Sequence, residues 1–298
     1  MTDLQRYLAE EVAVDLADGF ITRREALRRL GLMGWTAAAA SSLLTACSDA
    51  TKPVVAPAPA TAPPAATVSS GGAPAEAITF PGPQGRSLQG AWARAGAPRG
   101  GILIIHENKG LQPHFHEVAH RFANAGYSAL AIDLLSEEGG TASLGEPANA
   151  TAALSKVAPD RFVADLRAGL DELARRTPGL KLGAIGFCFG GAMTWRLVGA
   201  KDPRLAAAAP FYGPLPDGAD FAGVTTAVLA VYGELDARVN ASQPAARAAV
   251  EKANLPHEIV VYPGADHAFF NDTGPRYNAA AAAKAWTKVL DWFSRYVG

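Results

Sequence analysis

The sequence predicts an α/β protein with a mostly parallel, doubly wound sheet and helices on both faces. Segments with strand pattern and segments with helix pattern alternate from about residue 77 to residue 298. Some strand segments, such as "GGILIIHE" (residues 100–107), are apolar along most of their length, which is typical of strands covered on both faces. The segment at residues 159–176 carries apolar residues at helical spacing. This alternation favours parallel strands joined by helical crossovers.

The elements are expected in a regular order. Two edge strands ("ITF" and "SLQGAWARA") come before the apolar strand at 100–107. A helix near His114 to Ala125 and the strand "SALAIDLL" follow it. After the helix at 159–176, the expected segments are "KLGAIGFC" (strand), "FGGAMTWRLVGA" (helix), "LAAAAPFYG" (strand), "TTAVLAVYGELD" (strand then loop), "QPAARAAVEKA" (helix) and "HEIVVYPGADHAF" (strand then loop). A closing helix is expected from Tyr277 to Tyr296.

The chain divides into three regions: an N-terminal arm at 1–47, a linker at 48–76 and the predicted α/β domain at 77–298. The arm begins with a mildly amphipathic helical segment with Leu4, Leu8, Val12 and Leu16 on one face. Taken as a whole, residues 1–76 do not have the pattern of a globular core. The linker is rich in Pro and Ala, cannot bury a core and prefers extended conformations.

The arm also resembles an export signal. Arg23 and Arg24 precede an uncharged stretch of small and apolar residues, and the pair follows Thr22 as in twin-arginine signals. Ala26 departs from that pattern, which usually has Phe at this position. "LTAC" (residues 44–47) resembles a lipoprotein cleavage site, in which Cys47 is lipidated and becomes the first residue. We therefore expect an exported, periplasmic or cell-surface protein, and the alternative is a cytoplasmic protein with an amphipathic arm.

Composition limits the partners. With 27 basic and 28 acidic residues the formal charge is −1, so nothing indicates nucleic-acid binding. No apolar run approaches the roughly 20 residues of a membrane-spanning helix, so membrane attachment is expected only through a lipid on Cys47. The expected partner is a small-molecule substrate, and we expect a monomer.

The motif "GFCFG" (residues 186–190) places Cys188 between a strand and a helix. A G-x-C-x-G sequence in that position predicts a sharp turn that raises a nucleophile above the sheet. Gly186 and Gly190 are required because strand and helix approach closely there. The helix N-terminus favours a thiolate, and the backbone N–H of Phe189 points to where an oxyanion would form.

Two later loops supply the partners of a nucleophilic cysteine. Asp236 in "GELD" and His267 in "GADHAF" each follow a predicted strand. The order nucleophile, acid, histidine is that of α/β-hydrolases, in which the histidine is the base and the carboxylate orients it. Asp266 is a rival acid, although adjacent side chains seldom orient each other. The sequence thus predicts a catalytic triad of Cys188, His267 and Asp236.

These motifs, together with "HENKG" (residues 106–110) and the ending "YNAAAAAKAWTKVLDWF", resemble the dienelactone hydrolase family over most of residues 77–298. The resemblance implies an α/β-hydrolase fold and a thiol nucleophile that acts on lactones or related esters without a cofactor. It implies that Glu107 interacts with the thiol and controls its ionisation. It also makes the N–H of Asn108 the second oxyanion donor.

The sequence departs from the family where substrate is bound. Chlorocatechol-pathway members hold a substrate carboxylate with arginines, but Asn271 stands in one of those positions and Glu137 falls near the other. Arg276 is a possible substitute. The sequence therefore does not identify the natural substrate.

Two other functions remain open. "HEVAH" (residues 116–120) matches a zinc-binding motif with Glu117 as base, and His106 and His114 are nearby, but no third ligand follows at the usual spacing. We therefore expect no catalytic metal. The second alternative is a non-catalytic, surface-tethered ligand binder on a hydrolase fold. A thiol redox protein is disfavoured because the catalytic domain has no second cysteine.

Overall fold

The computed structural model describes residues 1–48 and 74–298, with side chains described for 1–45 and 74–298. The predicted linker at 48–76 lies almost entirely outside the described residues. The helices are Asp3–Ala17 (α1), Arg23–Leu32 (α2), Ala37–Ser48 (α3), Pro113–Asn124 (α4), Pro147–Leu154 (α5), Pro159–Arg176 (α6), Phe189–Gly199 (α7), Ala237–Asn240 (α8), Gln243–Lys252 (α9) and Ala279–Tyr296 (α10). Short 3-10 helices occupy Pro83–Gly85, Ser136–Glu138 and Thr141–Leu144.

Eight strands form one sheet in the order β1-β2-β4-β3-β5-β6-β7-β8. They are Glu76–Pro81 (β1), Ser87–Ala93 (β2), Gly100–Ile105 (β3), Tyr127–Asp133 (β4), Leu182–Phe187 (β5), Leu205–Phe211 (β6), Ala227–Gly233 (β7) and His257–Tyr262 (β8). The pairs from β4 to β8 are parallel, whereas β1 and β2 are antiparallel to their neighbours. The predicted α/β fold is confirmed.

Two details differ from the sequence prediction. β2 was expected at an edge of the sheet, but it lies between β1 and β4. Residues Gly90 to Ala93 of β2 are buried, as in an interior strand. Helix α5 was not predicted, because its eight residues are small and carry little helical periodicity.

The strand order of the sheet changes direction at β3. From β3 the chain passes to β4 on one side, and it later places β5 on the other side. Loops that follow two such strands diverge and leave a crevice beyond their carboxyl ends. Glu107 and Asn108 follow β3, and Cys188 follows β5, so they lie on the two sides of this crevice. Asp236 and His267 follow β7 and β8 at the same sheet edge.

The N-terminal arm packs on the α/β domain. The expectation that residues 1–76 lie outside any core is therefore wrong for the first helix, α1. Leu4, Tyr7 and Leu8 belong to the main hydrophobic core together with the sheet. Val12 and the apolar residues of α2 and α3 form a second cluster. The apolar stripe predicted on α1 does exist: Leu4 and Leu8 pack into the main core, whereas Val12 belongs to the second cluster and Leu16 is partly buried against it. No helix in the described ranges has the length and apolar character needed to cross a membrane.

Candidate active site

Cys188 sits in a strained turn between β5 and α7. Its backbone has φ 57° and ψ −117°, a conformation that non-glycine residues rarely adopt. A Cβ at Gly186 would lie 2.1 Å from the carbonyl oxygen of Gly190, and one at Gly190 would lie 2.2 Å from that of Ile105. The N–H of Cys188 donates to the carbonyl of Phe211 at 3.0 Å. The glycines therefore permit the close approach that the motif predicts.

His267 and Asp236 form a buried pair. Nδ1 of His267 lies 2.6 Å from Oδ2 of Asp236, and the other carboxylate oxygen accepts from the N–H of Val239 at the start of α8. Burial alone would raise the pKa of Asp236, but the charge of His267 outweighs it and the pKa is lowered. Asp266, the rival acid, instead accepts from the backbone N–H of His267 at 2.6 Å. In this geometry Asp236 orients the imidazole ring.

The thiol of Cys188 lies close to the ring. Its sulfur and a ring nitrogen of His267 are within 4.8 Å of each other, and only 3 % of each residue is exposed. Burial raises the pKa of Cys188, the charge of Glu11 raises it further, and His267 opposes both. Burial opposes protonation of His267, but the charges of Glu11 and Asp236 prevail and raise its pKa well above the ordinary value. The resting site therefore favours a thiol beside an imidazolium.

Glu107 is buried, and its described hydrogen bonds go to residues other than Cys188. Its Oε1 accepts from the hydroxyl of Tyr212 at 3.3 Å, and its Oε2 accepts from Nδ2 of Asn271 at 2.9 Å. The contact on sulfur comes from Tyr7, whose hydroxyl donates to Sγ of Cys188 at 3.2 Å. The charge of Glu107 still contributes to the raised pKa of Cys188, after burial and Glu11.

The two expected oxyanion donors lie in the segments that directly follow β3 and β5. Phe189 is the first residue of α7, and Asn108 lies in the loop after β3. The hydroxyl of Thr151 donates to the carbonyl of Asn108 at 2.9 Å, which anchors the loop at this residue. Within the described chain, neither the N–H of Phe189 nor that of Asn108 donates to another backbone group.

Helix α1 brings two more residues into the site, and sequence reasoning missed both. Oε1 of Glu11 lies 3.3 Å from Nε2 of His267 and also pairs with Arg238 on α8. Tyr7 lies one turn earlier on the same helix. The only available signal was that Tyr7 and Glu11 extend the buried face of the predicted amphipathic helix.

The departures from the family pattern have structural roles. Asn271 holds Glu107, and Glu137 pairs with Arg86 and lies 3.5 Å from Arg161. Arg276, the possible substitute, binds Asp15 at 3.0 Å and Asp18 at 2.6 Å, both on or just after α1.

The zinc motif does not form a metal centre in the described part of the chain. His116 and His120 are half-buried on α4 and Glu117 is exposed. His114 pairs instead with Asp272 at 2.9 Å. The described donors that do converge are those of Glu11, Cys188 and His267, all within 4.8 Å of one another. Cys47 lies in the last turn of α3, and its side chain is outside the described residues.

The strand order and the sharp turn after β5 define an α/β-hydrolase. The sequence model of the Dienelactone hydrolase family matches residues 89–297, and the chain belongs to this family. A Salmonella typhimurium protein named "Putative carboxymethylenebutenolidase" is 33% identical over 260 residues, which cover 81% of this chain and 96% of that protein.

Solved structures give the same result. The crystal structure titled "Putative Dienelactone Hydrolase" from Klebsiella pneumoniae has a TM-score of 0.66 and 31% identity, covering 74% of this chain and 99% of that one. A dienelactone hydrolase-like promiscuous phosphotriesterase from metagenomic libraries has a TM-score of 0.63 and 26% identity, covering 76% and 100%. These relationships identify the protein as a hydrolase of this family.

Proposed function

We propose that the protein hydrolyses a lactone or a related carboxylic ester through a triad of Cys188, His267 and Asp236. The observation that carries the proposal is the position of His267. Its Nδ1 is held by Asp236 at 2.6 Å, while a ring nitrogen lies within 4.8 Å of the sulfur of Cys188. This is the arrangement of nucleophile, base and orienting acid that acyl transfer needs.

In the acylation step, His267 in its neutral form takes the proton from the thiol of Cys188 through Nε2. The thiolate attacks the carbonyl carbon, and the carbonyl electron pair moves to oxygen. The N–H groups of Phe189 and Asn108 stabilise this oxyanion. When the carbonyl re-forms, the C–O bond of the ester breaks, and the leaving oxygen takes the proton from His267. The product of this step is a thioester on Cys188.

In the deacylation step, His267 removes a proton from water. The resulting hydroxide attacks the thioester, and the second tetrahedral intermediate uses the same two backbone donors. The C–S bond breaks, sulfur leaves as a thiolate, and His267 returns the proton to it. A lactone yields a hydroxy acid, and an open ester yields an acid and an alcohol. No cofactor enters this sequence.

Glu107 acts on the ionisation of the thiol in this scheme. It stays buried between Tyr212 and Asn271, so its negative charge faces the site without a cation of its own among these contacts. Like charges repel, so the carboxylate opposes formation of the thiolate at rest. This keeps a buried thiol protonated until substrate is bound.

The experiment is a panel of lactones and aryl esters assayed with the full-length chain, before and after specific cleavage in the linker that removes the arm, and with Cys188→Ala in both forms. Turnover that Cys188→Ala abolishes supports the proposal. Turnover that survives in Cys188→Ala contradicts the thiol mechanism. Saturable binding of panel members without any turnover favours the non-catalytic binder instead. Intact fold in the variant is checked by circular dichroism.

A further inference from the structure

We propose that the mouth of the active site is a docking surface for the chain's own helix α1, which inhibits the enzyme until the arm is removed. The proposal rests on the assignment of Cys188 as nucleophile under the proposed function. It goes beyond that assignment because it concerns access to the site rather than its chemistry.

The first argument is steric. The hydroxyl of Tyr7 lies 3.2 Å from the sulfur of Cys188. A substrate carbonyl carbon must itself approach the sulfur to about 3–3.5 Å before attack. Tyr7, Cys188 and His267 are each at most 5 % exposed. In the docked state the attacking atom is covered by the phenol ring of the arm.

The second argument concerns the base. Oε1 of Glu11 lies 3.3 Å from Nε2 of His267, the nitrogen that must accept the thiol proton. Glu11 raises the pKa of both His267 and Cys188, which favours the protonated ring and the neutral thiol. A ring that already carries its proton cannot take another. The docked helix therefore blocks the nucleophile with Tyr7 and the base with Glu11.

The third argument is charge complementarity. Acidic residues of the arm pair with three arginines around the site. The pairs are Asp3 with Arg196 at 2.5 Å, Glu11 with Arg238, Asp15 with Arg276 at 3.0 Å and Asp18 with Arg276 at 2.6 Å. Arg238 also stacks on the ring of Tyr7 at 4.5 Å. Arg196 lies on α7, Arg238 on α8 and Arg276 after β8. The docking surface is therefore a cationic rim that fits an acidic amphipathic helix.

The fourth argument concerns release. Helix α1 belongs to the arm, and the arm ends at the proposed processing site before Cys47. While the chain is intact, docking is intramolecular and the linker keeps the helix at high effective concentration. Cleavage ends that advantage. Removal of residues 1–46 would therefore release Tyr7 and Glu11 together and open the site in the processed form only.

The first test uses the full-length chain with a specific protease site inserted between Thr61 and Ala62. The protein is cleaved, and the arm is separated by gel filtration in high salt. Two rates are measured before and after: alkylation of Cys188 by iodoacetamide, followed by peptide mass mapping, and ester turnover. We expect alkylation to rise at least tenfold, and the purified arm added back to reverse the rise. An unchanged alkylation rate after removal of the arm overturns the proposal.

The second test keeps the chain uncut. Glu11→Lys places a cation against Arg238 and His267, so α1 should undock and alkylation of Cys188 should rise at least tenfold. Glu10→Lys is the matched control, because it makes the same charge change next to Glu11 at a position with no described ion pair, and it should leave the rate unchanged. Equal rates in both variants, or slower turnover in Glu11→Lys without faster alkylation, overturn the proposal.

The two readouts separate this inference from the proposed function. Faster alkylation in the opened protein without any ester turnover would support docking of α1 and contradict hydrolysis. Ester turnover that is equal in the intact and the opened protein, with equal alkylation, would support hydrolysis and contradict the inhibitory role of α1.

Discussion

The hydroxyl of Tyr7 donates a hydrogen bond to the sulfur of Cys188, 181 positions further along the chain, at 3.2 Å. This contact joins the first helix to the turn that carries the proposed nucleophile. Glu11, on the same helix as Tyr7, acts on the ionisation of this thiol: burial and the charge of Glu11 raise the pKa of Cys188. The ionisation of the site therefore depends on the N-terminal arm as well as on the hydrolase domain.

Replacement of the nucleophile gives the first prediction. Cys188→Ala should lower turnover of any accepted ester by about 10³-fold or more, because removal of a covalent nucleophile leaves only binding and the oxyanion donors. Cys188→Ser should retain at most weak activity, since a hydroxyl is a much poorer acid than a thiol. Steady-state kinetics of both variants are measured after the arm has been removed by cleavage in the linker. Activity within a few-fold of the starting protein would rule out this mechanism.

The pair of Glu11 and His267 gives a prediction on pH. The raised pKa of His267 means that the pair stabilises the fold fully below the ordinary histidine value of about 6.5 and loses this contribution as pH rises through the folded value. The pKa of Glu11 is lowered, since Arg238 and His267 outweigh its burial, so its contribution is lost as pH falls through the folded value. Thermal melts from pH 6 to 9.5 should therefore show a steeper loss of stability in the native chain than in Glu11→Gln. Parallel melting curves would contradict the coupling.

The turn at Cys188 gives a prediction on stability. Gly190→Ala should destabilise the fold by several kcal/mol or prevent folding, because its Cβ would lie 2.2 Å from the carbonyl oxygen of Ile105. Gly199→Ala, at the other end of α7, is the control: its nearest neighbour would be at 3.8 Å. That control should be neutral or stabilising by up to about 1 kcal/mol, since alanine favours helices. Equal urea midpoints for the two variants would contradict the steric argument.

The zinc motif gives a prediction on metal dependence. Chelators should not lower ester turnover, and His116→Ala should leave it within a few-fold, because the described histidines of α4 do not converge with a third ligand. Elemental analysis of the purified protein provides the second measurement. About one zinc per chain, lost together with activity in His116→Ala, would reverse the assignment.

The arm gives a prediction on processing. In its native cells the mature chain should begin at Cys47 with a lipid on the sulfur, so Cys47 and Cys188 should never form a disulfide. Mass spectrometry of membrane and cytosolic fractions measures this. A chain that begins at Met1 with two free thiols in the cytosol would contradict export, but it would leave the hydrolase assignment unchanged.

Much of the fold followed from local pattern. The eight strands of the described sheet were predicted because most of them are buried on both faces and are bounded by turn residues. The motif around Cys188 marked the end of one strand. The position of Asp236 and His267 also followed, since each comes directly after a parallel strand. Topology alone brings such residues to one edge of the sheet.

The docking of α1 did not follow from the sequence, because it depends on contacts between distant parts of the chain. The sequence assigned no role to the acidic residues of the arm, and it offered Arg276 only as a possible substitute for a family arginine. Only the three-dimensional arrangement places Asp15 and Asp18 on it. Glu107 was expected on the thiol, but the sequence could not show that Asn271 and Tyr212 would hold it instead.

Asp15 and Arg276 are in contact although they lie 261 positions apart in the sequence, and this separation has a consequence for biosynthesis. Helix α1 leaves the ribosome first, whereas Arg276 and the last helix leave it last. Contacts of such separation form late, after the loops between them have closed. Under the export hypothesis, the nascent arm is therefore free to meet a targeting factor throughout translation, and the hydrolase domain completes its sheet before α1 can pack over the proposed entrance. Under the same hypothesis, recognition of the arm by a targeting factor and closure of the entrance would compete for the same helix, and the timing of synthesis would give the factor the earlier opportunity.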